Sequence, residues 1–188
     1  MGLIELFMVA IGLSMDAFAV SLCKGLCMKK INYRHAVIIA AFFGGFQALM
    51  PLLGWLLGHQ FDQYITKYDH WVAFTLLSFI GGKMLVEAFK QDEECPKCTM
   101  LLDLKELVIL AIATSIDALA VGITFAFLRV IILPAIAIIG FITFAICFAG
   151  VVVGNRFGVK YKSKAEIAGG FVLIFIGIKI LIEHLSAQ

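Results

Sequence analysis

The fold is decided by the stretch LIELFMVAIGLSMDAFAVSL at residues 3–22, because the chain contains it twice. The second version, LKELVILAIATSIDALAVGI at residues 104–123, is identical at ten of the twenty aligned positions. Each version is about the 20 residues long that a membrane-spanning helix needs. Each also carries an acid in its interior, Asp16 in one and Asp117 in the other. Apolar composition alone would not align acid with acid, so the sequence indicates an internal duplication.

The composition places this chain in lipid. Hydrophobic residues make up 62% and charged residues 15% of the 188 residues, whereas soluble globular domains have about 45–50% and about 25%. The mean hydropathy is +1.03. A soluble domain of this length could not bury that much apolar surface. We therefore predict an all-α integral membrane protein, and the net charge of +2 gives no indication of nucleic-acid binding.

Six apolar stretches are predicted to be transmembrane helices, at residues 3–23, 36–58, 70–89, 107–128, 131–153 and 166–184. The first lacks the basic start of a signal peptide and contains Asp16, so we expect it to be retained. Eleven of the 15 Lys and Arg residues lie in the first, third and fifth connections. The positive-inside rule therefore predicts cytoplasmic odd-numbered connections and both termini outside.

The duplication extends through the whole chain. At an offset of 96 residues, three glycines of the first half align with three of the second: Gly44, Gly54 and Gly58 with Gly140, Gly150 and Gly154. Because each unit has three spans, the second must enter the membrane in the opposite sense. We predict two inverted-topology three-helix repeats at 1–90 and 104–188, joined by an acidic cytoplasmic linker at 91–103. Many secondary transporters have this architecture; a duplicated structural bundle is the alternative.

Asp16 and Asp117 are the strongest functional candidates. A charged aspartate at the centre of a membrane helix costs roughly 2.5–3.5 kcal/mol on insertion scales. A two-fold pseudosymmetry can bring both carboxylates together between the repeats, where they cannot both stay ionised without a cation or a proton. The pattern predicts a metal site that exchanges its ion for protons. For each aspartate, a structural ion pair or a protonated acid in a helix contact is the alternative.

Neutral oxygens are available beside these carboxylates. We predict Ser14, Ser115, Gln47 and Thr143 as further metal-site residues. Gln47 and Thr143 occupy matching positions in the second and fifth spans, where hydrogen bonding between helices is the alternative role. An all-oxygen donor set suits a hard divalent cation such as Mg²⁺, Ca²⁺ or Mn²⁺.

Two lysine–glutamate pairs occur at helical spacing in corresponding spans. Lys83 precedes Glu87 by four residues, and Lys179 precedes Glu183 by four. The functional hypothesis is gating, or compensation of the aspartate charges when no metal is bound. A snorkelling lysine paired along its own helix is the simpler interpretation.

A single CxxC motif, formed by Cys95 and Cys98, follows three acids in the predicted linker. It lacks the second pair that a closed zinc site needs. Cys23 and Cys27 could complete four thiolates, but nothing in the sequence requires that contact. Reduced thiols and a metal-sensing or metal-delivery role both stay open.

Four motifs together are typical of one known family: GLSMDAFAVSL at 12–22, PLLGW at 51–55, GGKMLVEAF at 81–89 and AIATSIDALAVG at 111–122. With them the chain resembles the MntP family of bacterial manganese efflux pumps over essentially its full length. The resemblance implies a six-helix exporter in the bacterial inner membrane that lowers cytosolic Mn²⁺. It also implies that Asp16 and Asp117 are the central metal-site residues and that the protein has no resident cofactor.

The mechanism that we predict is alternating access, in which one repeat rocks against the other. Mn²⁺ enters from the cytoplasm between the aspartates and leaves outward as protons replace it. Two alternatives remain open at this stage: export of another divalent cation such as cadmium, and an intramembrane aspartyl enzyme.

Overall fold

Helices account for all regular structure in the described part of the chain. The protein is represented by a computed structural model that describes residues 3–28, 30–65 and 103–157, with single residues and short segments between 74 and 86 and between 167 and 182. Five helices are delimited: α1 (Leu3–Leu26), α2 (Tyr33–Ile65), α3 (Leu104–Thr114), α4 (Ile116–Phe127) and α5 (Ile132–Phe157). The described residues between 74 and 86 and between 167 and 182 are also helical.

Three helical stretches are long and apolar enough to cross a membrane: Leu3–Leu26, Tyr33–His59 and Ile132–Arg156. The bent pair α3 and α4 makes a fourth if it is counted as one span. These four correspond to the first, second, fifth and fourth predicted spans. Most of the third and sixth predicted spans, and the linker before Asp103, lie outside the described residues.

The fourth predicted span is not one helix. The helix is interrupted at Ser115, and the axes of α3 and α4 differ by 41°. Ser115 has φ −103° and ψ 2°, and its N–H donates to the carbonyl oxygen of Ile112 at 3.1 Å. The hydroxyl of Thr114 also donates to the preceding turn, to Leu110 O at 3.0 Å, a contact that tends to bend helices. The predicted single helix over 107–128 was therefore wrong.

The first version of the repeat behaves differently. α1 continues without interruption through Ser14 and Asp16, although half of its residues match those of α3 and α4. The residue aligned with Thr114 is Leu13, which has no hydroxyl to bond backwards. This is one of ten differences between the two versions, and it is the one that removes the equivalent of the Thr114 hydrogen bond from α1.

The first helix of each half packs chiefly against the second helix of the other half. α1 packs on α5, α4 packs on α2, and α2 and α5 contact each other. Glycines make these approaches close: a Cβ added to Gly54 would overlap the carbonyl oxygen of Leu119, and one added to Gly154 would overlap that of Leu22. Small residues permit such close approach of helices in a membrane.

Most of the buried apolar residues in the described part of the chain lie in two clusters, and each cluster combines both halves. One joins Leu6 and Val9 to Val121, Phe125 and Ile139. The other joins Ala17, Ile39 and Phe43 to Leu107 and Val151. Large apolar side chains also face outward, including Phe141, Leu133 and Ile131. An apolar exterior of this kind fits lipid, since monomeric soluble proteins rarely expose large apolar patches.

The close contact of α2 with α4 predicts unequal effects for two glycine substitutions in α2. Gly54→Ala should lower the thermal unfolding midpoint by several degrees, because overpacking costs about 1–3 kcal/mol. Gly45→Ala is the matched control, since a Cβ there would meet no atom within 4 Å outside the local backbone of its own helix and alanine favours helix by about 1 kcal/mol. Thermal unfolding in detergent measures both. Equal midpoints for the two variants would contradict the packing described here.

Candidate functional site

A buried glutamine joins the two versions of the repeated stretch. Gln47 lies in α2 and is fully buried. Its Nε2 donates to the carbonyl oxygen of Leu13 in α1 at 2.9 Å, and its Oε1 accepts from the Ser115 hydroxyl at 2.8 Å. Only the amide nitrogen can donate to a carbonyl, so the contact with Leu13 fixes Oε1 towards Ser115. The sequence predicted the position of Gln47 inside the membrane but not these two partners.

Asp117 lies two residues beyond Ser115, in the first turn of α4. The N-terminus of a helix stabilises negative charge there. The Asp117 Oδ2 lies 3.4 Å from Nζ of Lys83, and the side chains are 14% and 43% exposed respectively. Lys83 belongs to the first half of the chain, so this ion pair also joins the halves. Helical spacing pointed instead to Glu87, which lies outside the described residues.

The corresponding residues of the other half are arranged differently. Ser14 is fully buried, but its hydroxyl donates to Ile11 O of its own helix at 2.8 Å. Thr143 aligns with Gln47 and is also fully buried. Within the described part of the chain, its Oγ1 has no hydrogen-bond partner. The threonine hydroxyl stands two carbons closer to the backbone than a glutamine amide, so it cannot form the same bridge. The site is therefore asymmetric.

Asp16 is half-buried in the middle of α1. Its predicted approach to Asp117 remains a prediction. The described residues contain no group of three or more His, Cys, Asp or Glu side chains placed to hold a metal ion. A cation at this depth would therefore depend on neutral oxygens as well as on carboxylates. Lys179 and Glu183 lie outside the described residues.

A second ion pair joins the halves at another point. Lys24, in the last turn of α1, lies 2.8 Å from Glu106 in the first turn of α3. The repeat places Phe125 at the position that matches Lys24, so this contact has no equivalent charge in the other half. Nearby, the Asn155 amide donates to Gly25 O and Met28 O at 3.2 and 2.7 Å. The end of α1 is thus fastened to both α3 and α5.

The cysteines near this end of α1 are oxidised in the structure. Cys23 and Cys27 are both disulfide-bonded, whereas Cys147 is free and buried. The motif at Cys95 and Cys98 lies outside the described residues. The side-chain donor groups at the break between α3 and α4 include oxygens of Ser115 and Gln47.

The donor set at the break between α3 and α4 comprises a carboxylate, a hydroxyl and an amide oxygen. Such oxygens suit a hard divalent cation, Mn²⁺ included. A broken span whose half-helix ends line a site near the membrane midplane is typical of secondary transporters. The arrangement can neutralise and position a cation, and Lys83 neutralises Asp117 in the structure as it stands.

Comparison with known proteins agrees with this chemistry. The MntP family model, described as "Putative manganese efflux pump", matches residues 30–181. The chain is 60% identical over 186 residues to "Putative manganese efflux pump MntP" of Acetivibrio thermocellus, which covers 99% of this chain and 93% of that protein. Its identity to the protein of the same name from Desulfitobacterium hafniense is 57%, covering 99% and 97%.

A third relative, "Putative manganese efflux pump MntP" of Clostridium botulinum, is 52% identical over 98% of this chain and 96% of its own length. No solved structure matches the chain. The family is described as an efflux pump, which is a transporter, and this sets aside the aspartyl-enzyme alternative. Its match over most of the chain, together with apolar spans that contain a polar site, identifies this protein as a multi-pass membrane protein of the MntP family.

Proposed function

We propose that this protein exports Mn²⁺ from the cytosol across the bacterial inner membrane, with Asp16 and Asp117 at the centre of the ion site. The observation that carries the proposal is a break within a membrane span, where Ser115 is hydrogen-bonded to Gln47 and Asp117 follows two residues later in the first turn of α4. The names of the relatives favour Mn²⁺ over other hard cations. Cadmium is disfavoured because its softer chemistry prefers thiolates.

The architecture that we propose is six helices in two inverted repeats, residues 1–90 and 104–188. Support comes from close contacts that recur between equivalent positions: Gly54 on Leu119 matches Gly150 on Phe18, and Gly58 on Ile123 matches Gly154 on Leu22. α2 and α5 cross antiparallel where Gly44 approaches Gly140. An antiparallel crossing of equivalent helices is what a two-fold axis in the membrane plane requires.

The proposed ion site adds the neutral oxygens of Ser14, Ser115, Gln47 and Thr143 to the two carboxylates. Ser115 can donate to Gln47 and still offer a lone pair to a cation. Thr143 Oγ1 has no hydrogen-bond partner among the described residues, so a bound ion or its water would satisfy it. Burial of an unpaired hydroxyl costs about 1–3 kcal/mol, which such a contact would recover.

The proposed mechanism is alternating access with both termini outside. The contacts that join the halves include the Gln47 bridge and the two lysine–carboxylate pairs. Rocking of one repeat against the other must break some of these and form others. Mn²⁺ enters from the cytoplasmic side, and protons replace it at the carboxylates when the site opens outward.

Neutralising either aspartate should abolish export. In a manganese-sensitive host, the wild type should lower cell-associated manganese, measured by mass spectrometry, while zinc and iron hold steady. Asp16→Asn and Asp117→Asn should match the empty vector, because asparagine keeps the shape and loses the charge. Asp103→Asn is the control, since Asp103 is the exposed N-cap of α3 and asparagine caps equally well. Full export by the two membrane-site variants at matched membrane levels would refute the proposed site.

Gln47 and Thr143 should differ in their effects on stability. Gln47→Leu leaves the Ser115 hydroxyl without its acceptor and should lower both Mn²⁺ transport and the thermal unfolding midpoint. Thr143→Val removes a hydroxyl with no partner in the described chain, so it should lower transport and leave the midpoint nearly unchanged. Vesicle transport assays and thermal unfolding measure the two quantities. Normal transport by Thr143→Val would remove Thr143 from the ion site.

Proton exchange should make transport depend on a pH gradient. In everted membrane vesicles, whose lumen corresponds to the outside, an acidic lumen should accelerate Mn²⁺ uptake because protons displace the ion there. Collapsing the gradient with an ionophore should remove the acceleration, and Asp117→Asn should show neither effect. Uptake that is indifferent to the gradient would indicate a uniporter.

A further inference from the structure

We infer that Lys83 is a tethered cation that holds the ion site when Mn²⁺ is absent, and that Mn²⁺ must displace its ammonium group to bind Asp117. Lys83 thereby lowers the resting affinity for the metal and speeds its release. The inference rests on the proposed function, since it takes Asp117 as a metal ligand. It adds a residue that controls how tightly that site holds its cargo.

The geometry of the pair is that of a displaceable contact. Lys83 Nζ lies 3.4 Å from Asp117 Oδ2, whereas strong charge-assisted hydrogen bonds have N···O distances of about 2.7–2.9 Å. The Lys24–Glu106 pair of the same chain reaches 2.8 Å. Lys83 therefore neutralises the carboxylate from a loose contact, without the close bond that would compete strongly with a metal.

The Lys83 side chain can move away from the contact more easily than the Asp117 side chain. Asp117 is fixed in the first turn of α4 and is 14% exposed, whereas Lys83 is 43% exposed. A lysine has a long flexible stem whose head group can move to a more exposed position. When a divalent cation arrives at Asp117, the ammonium group moves away and the carboxylate remains. When Mn²⁺ binds from the cytoplasmic side, the exchange at Asp117 is one cation for another.

The charge balance explains why such a group is useful. An uncompensated carboxylate within a membrane span is unfavourable. A transporter must also return without its cargo. With Lys83 in place, Asp117 keeps a counter-charge during that step, so the empty protein does not have to carry a bare anion through its closed states.

The pair also connects binding to motion. Lys83 lies in the first half of the chain and Asp117 in the second, so displacing the ammonium group removes one contact between the halves. Lys24–Glu106 is the other ion pair between described residues that joins the halves, and it lies away from Asp117, at the opposite end of α3. Metal binding at Asp117 therefore loosens one of the two pairs and leaves the other.

The test is the affinity of the purified full-length protein for Mn²⁺, measured by calorimetric titration in nanodiscs. Lys83→Gln should bind Mn²⁺ about tenfold more tightly than the wild type, a gain of about 1.4 kcal/mol, and its maximal export rate should fall because release is slower. Lys83→Arg should bind Mn²⁺ more weakly, because a guanidinium group can hold a carboxylate with two parallel hydrogen bonds. Lys24→Gln is the matched control and should bind like the wild type.

These variants distinguish a Lys83 that competes with Mn²⁺ from a Lys83 that only stabilises the fold. A structural role would make Lys83→Gln less stable without raising its affinity, and unchanged or weaker binding by this variant overturns the inference. If Lys83→Gln does not fold, Lys83→Arg decides alone, and binding equal to the wild type overturns it. Failure of the proposed function looks different: wild-type protein would bind no Mn²⁺, or bind it equally well after Asp117→Asn.

Discussion

The structure depends on one amide group. Gln47 reaches from α2 to the backbone of α1 and to the side chain at the break between α3 and α4, and both ends of its amide are used. In a membrane there is no water to replace such hydrogen bonds, so a polar side chain at this depth must find its partners within the protein. The glutamine finds one in each version of the repeated stretch. The network thus links α1 and α2 to the break at Ser115, two residues before Asp117.

Small residues have two different roles in this chain: glycines permit close packing, and serine and threonine supply polar oxygen atoms. Glycines such as Gly54 and Gly154 let backbones approach closely where no charge is involved. Serine and threonine occupy the inner positions where oxygen atoms are needed, at Ser115 and Thr143. Asp117 lies beside this packing with its side chain 14% exposed, and a carboxylate in less water attracts a cation more strongly. Close helix packing thus strengthens the electrostatic attraction between a carboxylate in the span and a cation.

The sequence predicted the class of fold and the identity of the polar residues better than their arrangement. Composition and continuous apolar runs were sufficient for the helices, and the aligned Asp16 and Asp117 were sufficient to single out the acids. Compensation of an aspartate charge by Lys83 was one of the hypotheses drawn from the sequence, but the choice of Asp117 was not, and neither were the partners of Gln47. Local spacing such as that of Lys83 with Glu87 carries no information about contacts between distant parts of the chain. The break at Ser115 was missed because a single hydroxyl, that of Thr114, has little weight in an average over 20 apolar residues.

The break occurs in only one of the two halves, and this has an evolutionary consequence. The two copies are not interchangeable. α1 is one continuous helix, whereas its counterpart is divided at Ser115 into α3 and α4, close to Asp117. A protein assembled from two identical first halves would have two continuous helices and no interruption beside an aspartate. Exchanging the two segments would therefore change the structure. Divergence between the halves is in this sense a record of specialisation within a single molecule.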